Sequence, residues 1–366
     1  MKHPVVIVGA GLSGLHAASK FTDKGIPCRV LEARDRIGGR ALSATDPNRP
    51  DWGNFDLGAT WFWPQYENTI VKTVEALHVE TFVQYTEGAM LAEQSHQEAP
   101  KRFVLPDNPN ALSMRFKGGV QSLIDAIADR IPQRVIERNT QVKAIQIDKE
   151  DSIVIETELT DEKREKIFAS AVILALPPRI IANHIEFSPS LSSSLHNALL
   201  DKATWMAGQA KAVAIYDRPF WRESGLSGFV SSRVGPLQEI HDASPEHGCG
   251  ALFGFIGIPA KIRKELGENE IKEMIIDQLS RLFGDDAQNP ETILYKDWSN
   301  DIETAVEDDW EPLRNFPIYG PEKIIGQWQD KLFFAGTESD SQFGGHLEGA
   351  LRSAETAVDE IINLKN

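Results

Sequence analysis

Apolar residues alternate between strand-like and helix-like spacing in three separated blocks of the chain. These blocks span residues 4 to about 45, about 117 to 185, and about 330 to 362. The intervening stretches, about 60 to 115 and about 200 to 320, are less regular and richer in Trp, Phe and Pro. Alternating strands and helices are typical of a parallel sheet covered by helices. We therefore expect an α/β protein with one Rossmann-like domain in three pieces and a smaller inserted α+β domain.

The changes in pattern set the expected domain boundaries. The Rossmann-like domain is assigned residues 1–62, 115–203 and 325–366, and the inserted domain residues 63–114 and 204–324. The charged run from Glu156 to Lys166 predicts a solvated hairpin turn. Apolar residues recur at helical spacing up to Phe283, which predicts a core-facing helix capped by Asn269 and ended by Gly284.

A buried strand followed by a glycine motif opens the chain. Val5 to Val8 form a continuous β-branched run, and GAGLSG follows at once. Gly9 permits a tight turn, Gly11 allows a pyrophosphate to approach the backbone, and Gly14 lets the next helix pack closely on the strand. The helix N-terminus, where Ser13 lies, favours phosphate. This spacing favours a nucleotide site over a secretory signal, which the apolar N-terminus superficially resembles.

A second strand, CRVLEA, ends at an acidic residue. Glu32 follows Gly14 by 18 residues, where a carboxylate can accept hydrogen bonds from both ribose hydroxyls of an adenine dinucleotide. Strand, glycines, helix, strand and acid in this order predict a dinucleotide site.

Composition limits the class of protein further. The chain has 366 residues, 41% hydrophobic and 25% charged, which indicates about two globular domains. Its net charge of −16 disfavours nucleic acid and anionic lipid as partners and weakly favours cationic small molecules. Two cysteines, Cys28 and Cys249, form no disulfide framework or metal motif, so we expect a cytoplasmic protein without a structural metal. No apolar run is long enough to span a bilayer.

The residues after Glu32 separate FAD from NAD. ARDRIGGR places a second glycine pair, including Gly39, and Arg40 at the end of the same strand, where Arg40 can bind a pyrophosphate with two hydrogen bonds. LEARDRIGGR resembles a signature of the flavin-containing amine oxidase superfamily, which includes monoamine oxidases, polyamine oxidases, histone lysine demethylases and L-amino acid oxidases. The resemblance implies that Glu32 binds the adenosine ribose, and that Arg34 and Arg40 help hold the adenine nucleotide.

The resemblance extends through most of the chain. DLGATWFWP resembles the family segment beneath the flavin, FKGGVQSL its return into the flavin domain, and VILALPP a late strand. Further cofactor contacts implied by the resemblance are Gly58, Ala59, Thr60, Val142 and Trp298. At 366 residues the chain resembles a short, soluble, bacterial-type member. Because it stops soon after its last helix, we expect no C-terminal membrane anchor.

KLFFAGTES followed by GGHLEGALRSAETAVDEI is the second strong signature. Leu332 to Phe334 predict a short buried strand, after which Gly336 permits close approach and Glu338 can bond the ribityl or phosphate region. Apolar residues from Leu347 onward form one face of a helix. Its N-terminus, with His346 and Leu347, is expected to face the flavin pyrimidine ring, where a helix dipole stabilises negative charge.

Lys211 is the candidate catalytic residue. In AKAVAIYDRPFW, strand alternation places Lys211 on one face with Val213 and Ile215. A lysine at the end of a strand can also reach solvent along an apolar surface. The segment resembles the family strand whose lysine holds a water against flavin N5 and assists oxygen reduction. Burial would lower its pKa.

The substrate region departs from the family pattern. Trp61 and Trp63 are expected at the flavin or substrate cavity, although they and Trp298 could be core residues. Monoamine oxidases frame the amine with two tyrosines, where this chain has His346 and, by gap-free counting, Asp308. Trp63 stands where polyamine oxidases often carry an acidic residue or histidine, which disfavours a polycation. His241 and His247 are interpreted as loop residues, and no metal site is expected.

These observations lead to one functional expectation and two alternatives. We expect noncovalent FAD, because no cysteine lies at the family's attachment position near Glu307. The leading expectation is oxidation of a small amine to an imine, with molecular oxygen as acceptor. The alternatives are an FAD-dependent desaturase or dehydrogenase of a non-amine substrate, which His346 in place of tyrosine favours, and a flavin-binding protein without turnover.

Overall fold

The fold is described from a computed structural model covering residues 3–104, 112–159, 162–311, 313 and 315–364. The helices are α1 (Leu12–Asp23), α2 (Asn68–Ala76), α3 (Gln121–Ala128), α4 (Pro178–His184), α5 (Ser193–Asp201), α6 (Phe220–Glu223), α7 (Ala260–Leu266), α8 (Glu268–Phe283) and α9 (Leu347–Asn363). The strands are β1 (Val5–Val8), β2 (Cys28–Leu31), β3 (Ser43–Thr45), β4 (Asn54–Asp56), β5 (Thr81–Val83), β6 (Ala89–Glu93), β7 (Lys101–Phe103), β8 (Met114–Phe116), β9 (Ile136–Glu137), β10 (Thr140–Ile147), β11 (Ile153–Leu159), β12 (Arg164–Ala169), β13 (Ala171–Leu174), β14 (Glu186–Ser188), β15 (Ala210–Tyr216), β16 (Leu226–Ser232), β17 (Leu237–Asp242), β18 (Gly250–Ile256), β19 (Thr292–Asp297) and β20 (Leu332–Phe334).

A parallel sheet gathers strands from distant parts of the chain. Its order is β20-β13-β1-β2-β9, and every neighbouring pair is parallel. All residues of β1 and β13 are buried, as expected for strands covered on both faces. The carboxyl ends of the strands meet at one edge, which brings the residues after Val8, Leu31, Leu174 and Phe334 together.

Two layers cover this sheet. On one face α1, α3 and α9 pack against β1 and β13 through an apolar cluster that includes Leu15, Ile124 and Leu351. On the other face lies a four-stranded sheet of order β12-β11-β10-β14, whose Ile145 and Ile155 share a second cluster with Val6. The mixed α/β fold with a Rossmann-like sheet is therefore confirmed.

A seven-stranded mixed sheet forms the second body of the fold, in the order β19-β15-β18-β17-β16-β6-β7. Helix α8 packs on one face through Ile271, Ile275 and Leu279, where alternate residues of β15, such as Ala212, contact it. The opposite face of β15 carries Val213 and Ile215, which pack with residues from β4 and β18. Lys211 belongs to this second face by strand alternation.

The structure confirms some local predictions and corrects one. Strands β11 and β12 form the antiparallel hairpin expected for the charged run, with residues 160 and 161 of its turn outside the described residues. Helix α8 ends at Gly284 as predicted, but Asn269 does not cap it. The helix begins at Glu268, and the capping residue is Gly267, whose φ of +81° marks the turn out of α7. The domain boundaries remain a prediction.

Candidate active site

The glycine motif sits at the carboxyl edge of the parallel sheet. Gly9 has a φ of +102°, and a Cβ there would lie 2.6 Å from the carbonyl oxygen of Ala175. A Cβ on Gly14 would lie 1.9 Å from the carbonyl oxygen of Gly9, so the close helix-strand contact needs glycine. A Cβ on Gly11 would meet open space, which leaves the start of α1 accessible to a ligand.

Two charged residues lie at the end of the site where the nucleotide is predicted to bind. Glu32 is buried, and its carboxylate accepts hydrogen bonds from the backbone N–H groups of Ala10 at 2.7 Å and Arg34 at 3.0 Å. The Arg34 guanidinium pairs with Asp301 and donates to Thr304 Oγ1 at 2.9 Å. These contacts fix both side chains beside a small pocket whose wall includes Val142.

Arg40 and Glu338 form an ion pair, although the sequence predicted a separate cofactor contact for each. Arg40 Nη1 and Nη2 donate to the two carboxylate oxygens of Glu338 at 2.6 and 2.8 Å. Glu338 also accepts the backbone N–H of Trp205 at 3.2 Å, and Arg40 donates to the Trp205 carbonyl at 3.2 Å. Sequence reasoning missed this ion pair because the two residues are 298 positions apart.

A cavity of about 720 Å³ runs from the glycine motif into the second sheet. It brings together most of the predicted site residues: Gly9, Gly11, Ser13, Glu32, Arg34, Gly39, Arg40, Gly58, Ala59, Thr60, Trp61, Trp63, Lys211, Trp298, Gly336, His346 and Leu347. Gly14, Val142 and Glu338 are not among its lining residues. Gly14 serves the helix packing instead, and Glu338 is covered by Arg40.

Lys211 lies inside the protein at the wall of this cavity. It is 3% exposed, which excludes a strand-end lysine that reaches solvent. Its Nζ donates to Thr60 Oγ1 at 2.6 Å and to the Gly58 carbonyl at 3.2 Å, and it stands 4.0 Å from the centre of the Phe253 ring. Burial lowers the pKa of Lys211 to about 7, although the nearby Asp56 carboxylate opposes the shift.

Aromatic residues form the wall around Lys211. Trp61 Nε1 donates to Gln84 Oε1 at 2.8 Å, and its ring meets that of Phe253 at 5.2 Å. Trp298 is buried and donates from Nε1 to the Leu57 carbonyl at 3.0 Å, which ties the second sheet to the segment after β4. Trp61 and Trp298 therefore line the cavity and also make structural contacts with the residues behind its wall.

Two histidines differ in their surroundings. The prediction that His241 lies in a loop is wrong. It belongs to β17, and its ring stacks between Phe229 and Phe253 at centroid distances of 4.9 and 5.2 Å. The signal was the polar–apolar alternation of LQEIHD. His346 lines the cavity, and its Nδ1 lies 2.7 Å from Oε1 of the buried Glu67, a residue that sequence reasoning did not single out.

The second of the two positions matched to the framing tyrosines of monoamine oxidases, Asp308, is not in the cavity wall. Asp308 is exposed in a short 3₁₀ turn, Glu307–Asp309, and is absent from the described lining residues. Trp205 occupies the neighbourhood of His346 instead, since a Cβ on Gly345 would lie 3.0 Å from its ring. The chain still lines the cavity at Glu303 and Thr304 but leaves it before Asp308, so gap-free counting from Trp298 does not end at a wall position.

The cysteines and possible metal ligands lie apart from this chemistry. Cys28 and Cys249 are buried free thiols, and burial raises the pKa of each to about 11. Neither is among the described residues that line the cavity. Within the described ranges, no group of three or more His, Cys, Asp or Glu side chains could hold a metal ion. No described helix is long and apolar enough to cross a bilayer.

A Rossmann-like parallel sheet whose carboxyl edge opens into a cavity with a buried lysine is typical of dinucleotide-dependent enzymes. Residues 107–362 match the family model for flavin containing amine oxidoreductases, and residues 7–77 match that for an NAD(P)-binding Rossmann-like domain. The chain therefore belongs to the flavin-containing amine oxidoreductase family, and it is a flavin-dependent enzyme.

Individual relatives are distant but match along nearly the whole chain. It is 24% identical to flavin-containing amine oxidase B of Sus scrofa, over 99% of this chain and 86% of that protein. It is 23% identical to putrescine oxidase of Kocuria rosea, over 99% and 95% of the two chains. The structure of cyclohexylamine oxidase from Brevibacterium oxydans matches with a TM-score of 0.82 at 20% identity, over 100% of both chains. That likeness shows the fold.

Proposed function

We propose that this chain binds FAD noncovalently and oxidises a small amine to an imine, with molecular oxygen as the electron acceptor. The carrying observation is the continuous cavity that joins the glycine motif and Glu32 to the buried Lys211 and its aromatic wall. Its volume of about 720 Å³ lies within the range of small-molecule and cofactor sites.

The side chains fit an adenine dinucleotide with a flavin. Gly11 leaves open space above the start of α1, where backbone N–H groups favour a pyrophosphate. Glu32 offers a carboxylate for the ribose hydroxyls, and Val142 lines the small pocket proposed for adenine. The segment from Gly58 to Thr60 and the start of α9, with Leu347, would hold the isoalloxazine. Because both thiols lie away from the cavity, we propose noncovalent attachment.

FAD, when bound, supplies an acceptor for the hydride equivalent removed from the carbon beside the amine nitrogen. The protein's own residues then orient the substrate and exclude bulk water. Trp61, Trp63 and Phe255 provide an apolar wall that favours a neutral amine over a hydrated ammonium. Lys211, with a pKa of about 7, can hold or release a proton at Nζ near neutral pH. We assign it to oxygen reduction and to handling the imine.

The test begins with the visible spectrum of the purified protein, which should show FAD bands, either on purification or after adding FAD. Anaerobic mixing with benzylamine, cyclohexylamine, putrescine and L-amino acids should bleach the flavin with at least one of these amines. If no FAD binds, the cofactor assignment fails. Bound FAD that no amine reduces would favour the desaturase alternative, or a flavin protein without turnover if non-amine donors also fail.

A further inference from the structure

The cavity contains a histidine whose ring is held by a buried carboxylate. His346 Nδ1 lies 2.7 Å from Glu67 Oε1, and the Glu67 side chain is 1% exposed. The His346 side chain is 38% exposed and lines the cavity that also holds Lys211. When the Glu67 carboxylate is ionised it can only accept a hydrogen bond, and the contact then assigns the ring proton to Nδ1. Nε2 is therefore the ring nitrogen left for the cavity, and no described residue bonds to it.

The surrounding backbone holds this pair in place. The second oxygen of Glu67, Oε2, accepts the backbone N–H of Trp63 at 2.6 Å, so the carboxylate is fixed at both oxygens. Glu348 accepts the N–H groups of Thr69 and Ile70 at 3.0 and 2.7 Å, which ties α9 to the first turn of α2. The His346 carbonyl accepts from Thr337 Oγ1 at 2.8 Å. A histidine supported in this way has the preorganisation that a proton acceptor requires.

An amine arrives mainly as its ammonium ion at neutral pH, but it must be neutral to lose a hydride equivalent. The residue that takes the proton becomes positive and needs a compensating charge. His346 has the Glu67 carboxylate in direct contact. Lys211 has only the Thr60 hydroxyl and the Gly58 carbonyl as its hydrogen-bond partners among the described residues. His241 also pairs with a carboxylate, Glu239, but its ring is stacked between aromatics and it is not a described lining residue.

We propose that His346 accepts the proton of the substrate ammonium at Nε2, and that Glu67 is the positioning residue that fixes its tautomer and stabilises the imidazolium. This rests on the proposed amine oxidation. In the step, an N–H bond of the ammonium breaks and an Nε2–H bond forms, and no electrons pass between the two molecules. The neutral amine remains in the cavity.

Other charges near His346 act on the same equilibrium. The positive N-terminus of α9, which His346 caps, disfavours the imidazolium, while the carboxylates favour it. The groups to be considered together are Glu67 before α2, Glu348 on α9, the Arg352–Asp340 ion pair beside Phe343, and, on the cavity wall, Lys211 and Glu239. Of these, only Glu67 contacts the His346 ring.

The first arm of the test measures the ring without turnover. Histidine-selective isotope labelling of the FAD-loaded protein, with His346→Gln to assign the signal, gives the pKa of His346 by NMR titration. Glu67→Gln keeps an oxygen that can accept from Nδ1–H but removes the charge, so the His346 pKa should fall by about one unit or more. Glu355→Gln is the matched control: Glu355 pairs with His16 at 3.2 Å and neither is a described lining residue of the cavity, so this variant should change the His16 signal and leave His346 unchanged. An unchanged His346 pKa in Glu67→Gln would overturn the proposal.

The second arm follows anaerobic flavin reduction against pH with whichever amine of the panel above reacts fastest. In Glu67→Gln, the acid limb of the rate should move to lower pH by the shift that NMR finds. His346→Phe should react at least tenfold more slowly at neutral pH, and its rate should rise about tenfold per pH unit towards the amine's own pKa. If both variants keep the wild-type pH profile, His346 does not accept the proton. If no amine reduces the flavin, the amine function fails, and the NMR arm still reports whether the pair exists.

Discussion

Burial of Lys211 makes the stability of the protein depend on pH. Burial lowers the pKa of this lysine from 10.5 to about 7. Between these values the unfolded chain binds more protons at Lys211 than the folded chain does. The free energy of unfolding contributed by Lys211 therefore rises with pH across this window. The destabilisation caused by burying this lysine is fully present below about pH 7 and disappears above about pH 10.5.

The size of the effect follows from the pKa difference. One pKa unit corresponds to about 1.4 kcal/mol, so the full penalty is on the order of 5 kcal/mol. Lys211→Met removes the charge and keeps most of the side-chain volume. The variant also loses the hydrogen bonds from Lys211 to Thr60 and Gly58, which lowers its free energy of unfolding by an amount that depends little on pH. We expect the stability gain of the variant over wild type to be about 2 kcal/mol larger near pH 7 than near pH 9.

Urea unfolding of both proteins at several pH values, with FAD saturating throughout, measures this difference. Lys72→Met is the control, because Lys72 is exposed on α2 and its charge remains in water. Its stability difference from wild type should stay level across the same range. If the difference in free energy of unfolding between Lys211→Met and wild type is also independent of pH, burial does not lower the pKa of Lys211 and the reasoning is refuted.

Three further predictions concern the cofactor and oxygen. Lys211→Met should slow flavin reoxidation by oxygen, measured by stopped flow, much more than it weakens FAD binding; equal reoxidation rates would remove Lys211 from that role. Glu32→Gln should weaken FAD binding about 10- to 100-fold by fluorescence titration, because it loses charge-assisted hydrogen bonds, whereas Glu75→Gln at an exposed position of α2 should not. Acid precipitation should release all flavin into the supernatant, and flavin retained in the pellet would contradict noncovalent binding.

The sequence predicted the parts of the site that depend on local geometry. The glycine motif, β1, α1 and Glu32 lie within one continuous segment, so spacing alone determined their relation. The alternation around Lys211 also predicted its strand face correctly, since a strand has a period of two residues.

The contacts that spacing could not predict join residues far apart in the chain. The Arg40–Glu338 pair and the Glu67–His346 pair span 298 and 279 positions, and only the folded sheet edge brings them together. His241 was misassigned because the short alternation of LQEIHD was not interpreted as a strand, and its stacking partners Phe229 and Phe253 come from other strands. Counting from Trp298 to Asp308 failed because it assumed an unchanged path for the chain.

The central claim is that this cavity oxidises an amine at a bound flavin. A single-turnover measurement tests it most directly: FAD-loaded protein is mixed without oxygen with the amine that bleaches the flavin, and the products are quantified. Amine oxidation predicts one aldehyde or ketone and, for a primary amine, one ammonia for each flavin reduced. Flavin reduction without a carbonyl product, or no reduction by any amine, would contradict it.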